Sequence, residues 1–203
     1  TFAHSDVIEL AREGSIPIIN GLTDLLHPCQ VMADLLTGIE KFGDLAGRKL
    51  AYIGDGNNMV HSLMYGGAKV GMHVTCACPA GYEPDPEVVA AARADGAATG
   101  AKMDVVRDPK EAVRGADILY TDVWASMGQE AEREKRVRDF QGYQINAELV
   151  SIANPDCIVM HCLPAHRGEE ITDDAADGAH SVLWDEAENR LHAQKAILAL
   201  TMS

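Results

Sequence analysis

The sequence predicts an α/β protein built on a doubly wound, Rossmann-like parallel sheet flanked by helices. Short apolar and β-branched segments alternate with amphipathic helical patterns along most of the 203 residues. Polar clusters directly follow several of these apolar segments, as is typical of binding sites at the edge of a parallel sheet. The composition, 47% hydrophobic and 24% charged, supplies enough apolar residues for a substantial core.

The strands and helices are predicted from periodicity and from the residues that begin and end each segment. The helix from Pro28 to Gly43 and the helix from Asp85 to Gly96 each have a proline near the start and a glycine at the end. A further helix opens at Asn57 in NNMVHSLMYGG. We expect strands at IPIIN (16–20), KLAYIG (49–54), MHVTCA (72–77), DILYTD (117–122), CIVMHC (157–162) and SVLW (181–184).

The two ends of the chain do not follow the strand–helix alternation. We therefore divide the sequence into a linking segment with an interdomain helix (1–43), an α/β domain (44–186) and a C-terminal helix (187–203). Both end helices are amphipathic with no obvious partner element, so we expect them to pack on a domain outside this chain. Their outer faces are then predicted to be apolar and exposed.

Charge and cysteine content exclude several classes of function. The chain has 17 basic and 31 acidic residues, a net charge of -14, which argues against nucleic acid or an anionic membrane as a partner. No apolar run approaches the roughly 18 to 20 residues of a membrane span, and no secretion signal is recognisable, so we expect a cytoplasmic protein. Five cysteines, an odd number, favour reduced thiols, and Cys76 with Cys78 is interpreted as buried packing.

Three polar motifs follow predicted strands and should meet in one crevice at the carboxyl edge of the sheet. They are GDGNN (54–58), TDVWASMGQE (121–130) and HCLPAHRGEE (161–170). The first resembles a dinucleotide-binding turn but carries Met59 at the third glycine position and lacks an acid after the second strand. Asn57 and Asn58 either present amides to a ligand or cap the next helix.

Other polar residues, in these motifs and before the helix at Pro28, also have more than one interpretation. Asp122 either holds a substrate ammonium group or caps a helix. His27 precedes a helix that starts with Pro28 and has Gln30 in its first turn, so it is either part of an anion site or a cap. Cys162 could be a packing residue, a nucleophile, a metal ligand or a ligand contact; its place at the sheet edge favours the last.

HPCQ (27–30), GDGNN, DVWASMGQE and HCLPAHRGEE, in this order, resemble the aspartate/ornithine carbamoyltransferase family over nearly the whole chain. The SMG loop and the HCLP segment are similar to the ornithine branch. The resemblance implies transfer of the carbamoyl group of carbamoyl phosphate to the δ-amine of L-ornithine, giving L-citrulline and phosphate. It implies no metal and no organic cofactor.

The resemblance also implies the site residues. The catalytic residues would be His27, Asp122 and Cys162. Ornithine would be bound by Asn58, Asp122, Ser126, Met127 and Cys162. Carbamoyl phosphate would be bound by His27, Pro28, Cys29, Gln30, Cys162, Leu163 and Arg190.

One departure from the family is the absence of a Ser-Thr-Arg-Thr phosphate loop from this sequence. We therefore expect the chain to lack the N-terminal carbamoyl phosphate domain and to turn over poorly by itself. A homo-oligomer, a trimer or a multiple of it, is implied for the complete enzyme. The alternatives are a transferase for a related amine such as putrescine or an acylated ornithine, a non-catalytic amino-acid-binding module, and an NAD-linked dehydrogenase. Synthesis and breakdown of arginine remain equally possible roles.

Overall fold

The computed structural model describes residues 1–126, 128 and 130–202. Over these residues the chain forms five strands: β1 (Lys49–Ile53), β2 (His73–Ala77), β3 (Met103–Val106), β4 (Ile118–Thr121) and β5 (Ile158–His161). In the same ranges there are nine α-helices: α1 (His4–Glu13), α2 (Pro28–Phe42), α3 (Asn58–Val70), α4 (Pro86–Gly96), α5 (Pro109–Val113), α6 (Arg133–Asp139), α7 (Ala147–Ile152), α8 (Asp173–Asp177) and α9 (Leu183–Thr201).

The five strands form one parallel sheet in the order β3-β2-β1-β4-β5. Leu50 of β1 pairs with Val74 of β2 on one side and with Ile118 of β4 on the other. The direction in which the strands are added reverses between β1 and β4, and a crevice opens there at the carboxyl ends. The predicted doubly wound α/β fold is therefore confirmed.

Both faces of the sheet are buried, which is why its strands are apolar without alternation. Along β1, Leu50 and Tyr52 point into one core cluster, whereas Ala51 and Ile53 point into the other. The first cluster lies under α2, α3 and α4, and the second contains side chains of α5, α7 and α8. Packing on both sides holds the strand ends, and the polar residues that follow them, in place.

The sheet departs from the predicted one at three segments. Residues 16–20 form no strand, and Ile16 is 70% exposed. In the predicted strand 181–184, Ser181 makes only an isolated bridge to Val159, and α9 begins at Leu183. The strand β3 was missed because its four residues include an acid, and such short runs carry little periodic signal.

The two end helices pack on each other. Asn189 of α9 is buried and donates from Nδ2 to Thr37 Oγ1 at 3.0 Å and to Glu40 Oε2 at 2.7 Å, both on α2. Their outer surfaces expose apolar side chains, as predicted: Met32, Ile39, Leu191 and Leu198. The predicted boundaries at 43/44 and 186/187 stay predictions. In the described ranges, each helix is too short or too polar to cross a membrane.

Candidate active site

A cavity of about 840 Å³ opens at the carboxyl ends of β1, β4 and β5. The three polar motifs meet there, and the segment before α2 forms part of the wall. Seven predicted or candidate site residues line it: His27, Asn57, Asn58, Asp122, Ser126, Cys162 and Leu163. The predicted residue Met127 lies outside the described residues.

Asp122 is the centre of the hydrogen bonds in this cavity. It directly follows β4, is 8% exposed, and accepts from Asn57 Nδ2 at 2.7 Å through Oδ2. Its Oδ1 accepts from Cys162 Sγ at 3.1 Å and from Val123 N at 2.8 Å. Since α6 begins only at Arg133, Asp122 does not cap that helix. A carboxylate in this position can bind a cationic amine.

The two asparagines after β1 have different structural roles. Asn57 caps α3, because its Oδ1 accepts from Met59 N at 3.0 Å and Val60 N at 3.4 Å. The same side chain donates to Asp122 and so links the helix start to the end of β4. Asn58 donates from Nδ2 to Thr23 O at 2.6 Å, which ties α3 to the segment before α2. Both side chains remain on the cavity wall.

The Cys162 thiol is held in its neutral form. Burial raises its pKa well above the usual range, and the neighbouring Asp122 charge raises it further. A nucleophilic cysteine needs a lowered pKa and a cationic neighbour, and here the direct partner is a carboxylate. The thiol can therefore contact a ligand and orient Asp122, but it is poorly suited to covalent catalysis.

His161 fixes the loop that carries Cys162. Its Nδ1 accepts from Leu163 N at 2.9 Å, so the ring proton is on Nε2, which lies 3.2 Å from Oε1 of the buried Glu170. This bond holds Leu163 at a φ of 55°, and the Leu163–Pro164 peptide is cis. The sequence interpretation missed both His161 and Glu170, although a histidine at the end of an apolar strand was a possible signal.

Two groups of side chains in the described part of the chain have metal-ligand spacing. Ligand atoms of Asp122, His161 and Cys162 lie within 4.8 Å of one another. However, both ring nitrogens of His161 are engaged with Leu163 N and Glu170, which disfavours a metal. The second group is His166, Glu169 and Glu170, where Glu169 is already paired with Arg133.

His27 is a neutral imidazole in this environment. Burial lowers its pKa to about 4, with a further lowering by Arg190, while Asp122 acts in the opposite direction. Its main-chain nitrogen donates to Ser62 Oγ at 2.7 Å, which fixes the start of α2. Among the described residues its buried Nδ1 has no hydrogen-bond partner. A neutral histidine can donate one proton to a carbonyl oxygen.

The other residues predicted to bind phosphate are not among the described residues that line this cavity. Arg190 Nη1 donates to Gln30 Oε1 at 2.6 Å, and Gln30 Nε2 donates inward to Asp34 and Glu186. The Cys29 thiol donates to Asn20 O at 3.3 Å. The contacts of these residues and of Pro28 with carbamoyl phosphate stay predictions.

A buried ion pair missed by the sequence interpretation supports the loop after β4. Arg136 Nη1 lies 2.9 Å from Asp55 Oδ2 and donates to Trp124 O, also at 2.9 Å. One guanidinium thus joins α6 to the end of β1 and to the loop that leads to Ser126. Asp55 was noticed in the sequence only as an exception in a glycine-rich turn; the distant Arg136 gave no sequence signal.

Comparison with known proteins gives consistent matches. Residues 46–201 match the family model described as "Aspartate/ornithine carbamoyltransferase, Asp/Orn binding domain". Residues 1–40 match the model described as "Aspartate/ornithine carbamoyltransferase, carbamoyl-P binding domain". The ornithine carbamoyltransferase of Symbiobacterium thermophilum is 62% identical over 203 residues, all of this chain and 66% of that protein. That of Gloeobacter violaceus is 60% identical over 202 residues and is covered to 64%.

Solved structures agree with the sequence matches. The crystal structure of ornithine carbamoyltransferase from Gloeobacter violaceus superposes with a TM-score of 0.93 at 56% identity, covering 100% of this chain and 68% of that one. The enzyme from Pyrococcus furiosus gives a TM-score of 0.95 at 55% identity, covering 99% and 64%. The chain spans slightly less than two thirds of the length of the two curated relatives, 66% and 64%.

Proposed function

Because the chain belongs to the aspartate/ornithine carbamoyltransferase family, we propose that it binds L-ornithine and supports its carbamoylation by carbamoyl phosphate. The products are L-citrulline and phosphate. The observation that carries this proposal is the buried Asp122 carboxylate, bonded to Asn57 and Cys162 on the wall of an open cavity. Such a group favours a cationic amino acid over an anionic one.

The amine side of the site consists of residues that follow β1, β4 and β5. Asn58, Asp122, Ser126, Met127 and Cys162 are proposed to bind ornithine. Ser126 Oγ lies 3.5 Å from Asn57 Nδ2, so the loop after β4 is close to the Asp122 cluster. Asp122 and the neutral Cys162 thiol would orient the amine for attack.

The phosphate side is proposed to use His27, Pro28, Cys29, Gln30, Cys162, Leu163 and Arg190. The nitrogen lone pair of the neutral δ-amine attacks the carbonyl carbon, the new C–N bond forms, and the bond to the phosphate oxygen breaks. The proton that the amine loses is taken up by the departing phosphate, which leaves as the hydrogen phosphate anion. The neutral His27 can donate to the carbonyl oxygen, and Arg190 can balance the phosphate charge.

The match of residues 1–40 means that the chain includes at least part of the sequence assigned to the carbamoyl phosphate domain. The Ser-Thr-Arg-Thr loop is absent from these 203 residues. We therefore propose that the 203 residues alone form citrulline poorly or not at all, and that the active enzyme is a cytoplasmic homo-oligomer, a trimer or a multiple of it.

The function is tested by Cys162→Ala in the full-length protein, with citrulline formation measured against each substrate. Loss of the thiol removes a hydrogen bond to Asp122, so we expect KM for ornithine to rise by about tenfold. The KM for carbamoyl phosphate should change little, because on the phosphate side Cys162 is one of several proposed contacts and His27, Leu163 and Arg190 remain. A panel including putrescine and N-acetylornithine checks the choice of amine.

The matched control is Cys157→Ala, the same substitution just before the other end of β5, where the thiol lies near His180. It should leave both KM values unchanged. An equal loss for both substrates in Cys162→Ala would contradict the proposal that the thiol acts mainly on the amine side. Absence of citrulline from the unaltered enzyme would reject the function.

A further inference from the structure

Behind the cavity, two acidic side chains share one hydrogen-bond donor. Asp34 of α2 is 3% exposed and Glu186 of α9 is 0% exposed. Gln30 Nε2 donates to Asp34 Oδ1 at 2.9 Å and to Glu186 Oε1 at 3.1 Å. Two carboxyl groups this close in a buried environment do not both ionise, so the pair holds one proton.

The hydrogen bonds indicate which group holds that proton. Glu186 accepts from Gln30 Nε2, from the Tyr120 hydroxyl at 3.0 Å and from His161 N at 2.9 Å. In the described part of the chain, Asp34 Oδ2 is buried with no hydrogen-bond partner. A proton on Asp34 turns this oxygen into a donor, and Glu186 is the neighbouring acceptor. The arrangement fits a neutral Asp34 and an ionised Glu186.

The electrostatic environment agrees with this assignment. Burial raises the pKa of Asp34 well above its usual value, and the Glu186 charge raises it further. Burial also raises the pKa of Glu186, but bonds from His161 N, Asp34 and Tyr120 oppose that rise. The nearby Cys162 thiol stays neutral because its own pKa is raised.

Glu186 contacts both halves of the site. On the phosphate side, it accepts from Gln30, whose Oε1 in turn accepts from Arg190. On the amine side, it accepts from the main chain of His161, the residue before Cys162. A shift of this carboxylate therefore moves Arg190 relative to the loop that holds Cys162 against Asp122.

We propose that Glu186, held in place by a proton-carrying Asp34, is a positioning residue that aligns Arg190 and Gln30 with the Cys162 loop. This inference rests on the proposed carbamoyl transfer and deepens it. Neither side chain touches substrate. Their effect is to make both substrate-binding halves depend on one buried carboxylate.

The test compares amide and alanine variants in the full-length protein. Asp34→Asn keeps an acceptor for Gln30 and a permanent donor for Glu186, so both KM values should stay within about twofold of the unaltered enzyme. Asp34→Ala removes that donor, and Glu186→Gln places an amide NH₂ against existing donors. Each of these two variants should raise both KM values by about tenfold or more. Glu188→Gln, on an exposed position of α9, is the matched control and should change neither.

The results distinguish the proton on Asp34 from the positioning role of Glu186. Equal damage from Asp34→Asn and Asp34→Ala would overturn the proton assignment. Unchanged KM values in Glu186→Gln, or a change for one substrate only, would overturn the positioning role. If Glu186→Gln does not fold, Tyr120→Phe removes one donor to Glu186 with little change in packing and should raise both KM values in the same direction; unchanged values there would overturn the role.

Failure of the proposed function gives a different result. An unaltered enzyme that forms no citrulline rejects the carbamoyl transfer and with it the kinetic role of Glu186. The proton on Asp34 is still measured by the pH dependence of unfolding, which needs no turnover. A proton assignment that holds in an inactive protein would thus show that the proposed function, and not the description of the carboxyl pair, is wrong.

Discussion

Two buried aspartates flank the cavity, and their neighbours neutralise them in opposite ways. Asp55, 6% exposed, faces the Arg136 guanidinium at 2.9 Å. Asp34, 3% exposed, faces the Glu186 carboxyl group and shares the Gln30 amide with it. Asp55 is balanced by a cation from a distant helix, whereas Asp34 is balanced by a proton. The same residue type is therefore charged in one place and neutral in the other because of its partner.

The two pairs also support different loops. The Asp55–Arg136 pair holds Trp124 O, at the base of the loop that carries Ser126. The Asp34–Glu186 pair holds His161 N, at the base of the loop that carries Cys162. Replacement of each partner should therefore show how much each kind of neutralisation contributes to stability.

The largest effect is expected for Arg136→Met, which leaves Asp55 buried without its cation. Removal of one partner from a buried ion pair costs about 3–5 kcal/mol of unfolding free energy. Urea denaturation measures this loss. The control is Lys69→Met, which removes the exposed ion pair with Asp95 and should cost about 0–1 kcal/mol. Similar small losses in both variants would mean that the Asp55–Arg136 pair is not structurally important.

A smaller effect is expected for Asp55→Asn. Arg136 keeps its bond to Trp124 O and its contact with Glu132, so the loss should be about 1–3 kcal/mol. Asp34→Asn, the same chemical change, should not destabilise the chain at neutral pH, since its amide reproduces a protonated carboxyl group and has no proton to lose on unfolding. Urea denaturation at neutral pH measures the change in unfolding free energy of both variants. Equal losses would remove the distinction between the two aspartates.

The sequence predicted the features that depend on local pattern. The strand ends and the polar residues after them, Asp122 and Cys162 among them, follow from apolar runs that stop at a defined place. The pairing of Asp55 with Arg136 spans 81 positions, and that of Gln30 with Glu186 spans 156. Such contacts depend on how helices pack on the sheet, which one sequence does not reveal.

Local sequence pattern predicted the wrong secondary structure where one segment fits both a strand and a helix. The segment 181–184 is as apolar and β-branched as a strand, but the chain turns into α9 at Leu183 because the following residues favour a helix. Local pattern likewise gave no sign of the contacts that Gln30 makes inside the protein, and its predicted contact with carbamoyl phosphate stays a prediction. Its position in the first turn of α2 indicated a ligand donor, whereas packing directs its NH₂ group inward to Asp34 and Glu186.

The last distinction between the aspartates is the size of their response to pH, because burial raises the pKa of Asp55 as well, but there the Arg136 charge opposes the rise. The pKa of Asp34 is raised in the folded state, and an unfolded aspartate titrates near about 3.9. A raised folded-state pKa means that the folded chain retains a proton that the unfolded chain loses. The resulting stabilisation is complete below about pH 4 and is lost as pH rises through the folded-state pKa.

Asp34→Asn has no such proton, so the unaltered chain should lose up to about 1.4 kcal/mol of unfolding free energy per pH unit relative to this variant across that pH window. Urea denaturation of both chains at a series of pH values measures the difference, and the titratable groups that interact with Asp34, which are Glu186, Tyr120 and Cys162, are present in both chains. Parallel curves from pH 4 upward would mean that Asp34 loses its proton as readily in the folded chain as in the unfolded chain, and that a proton does not neutralise it.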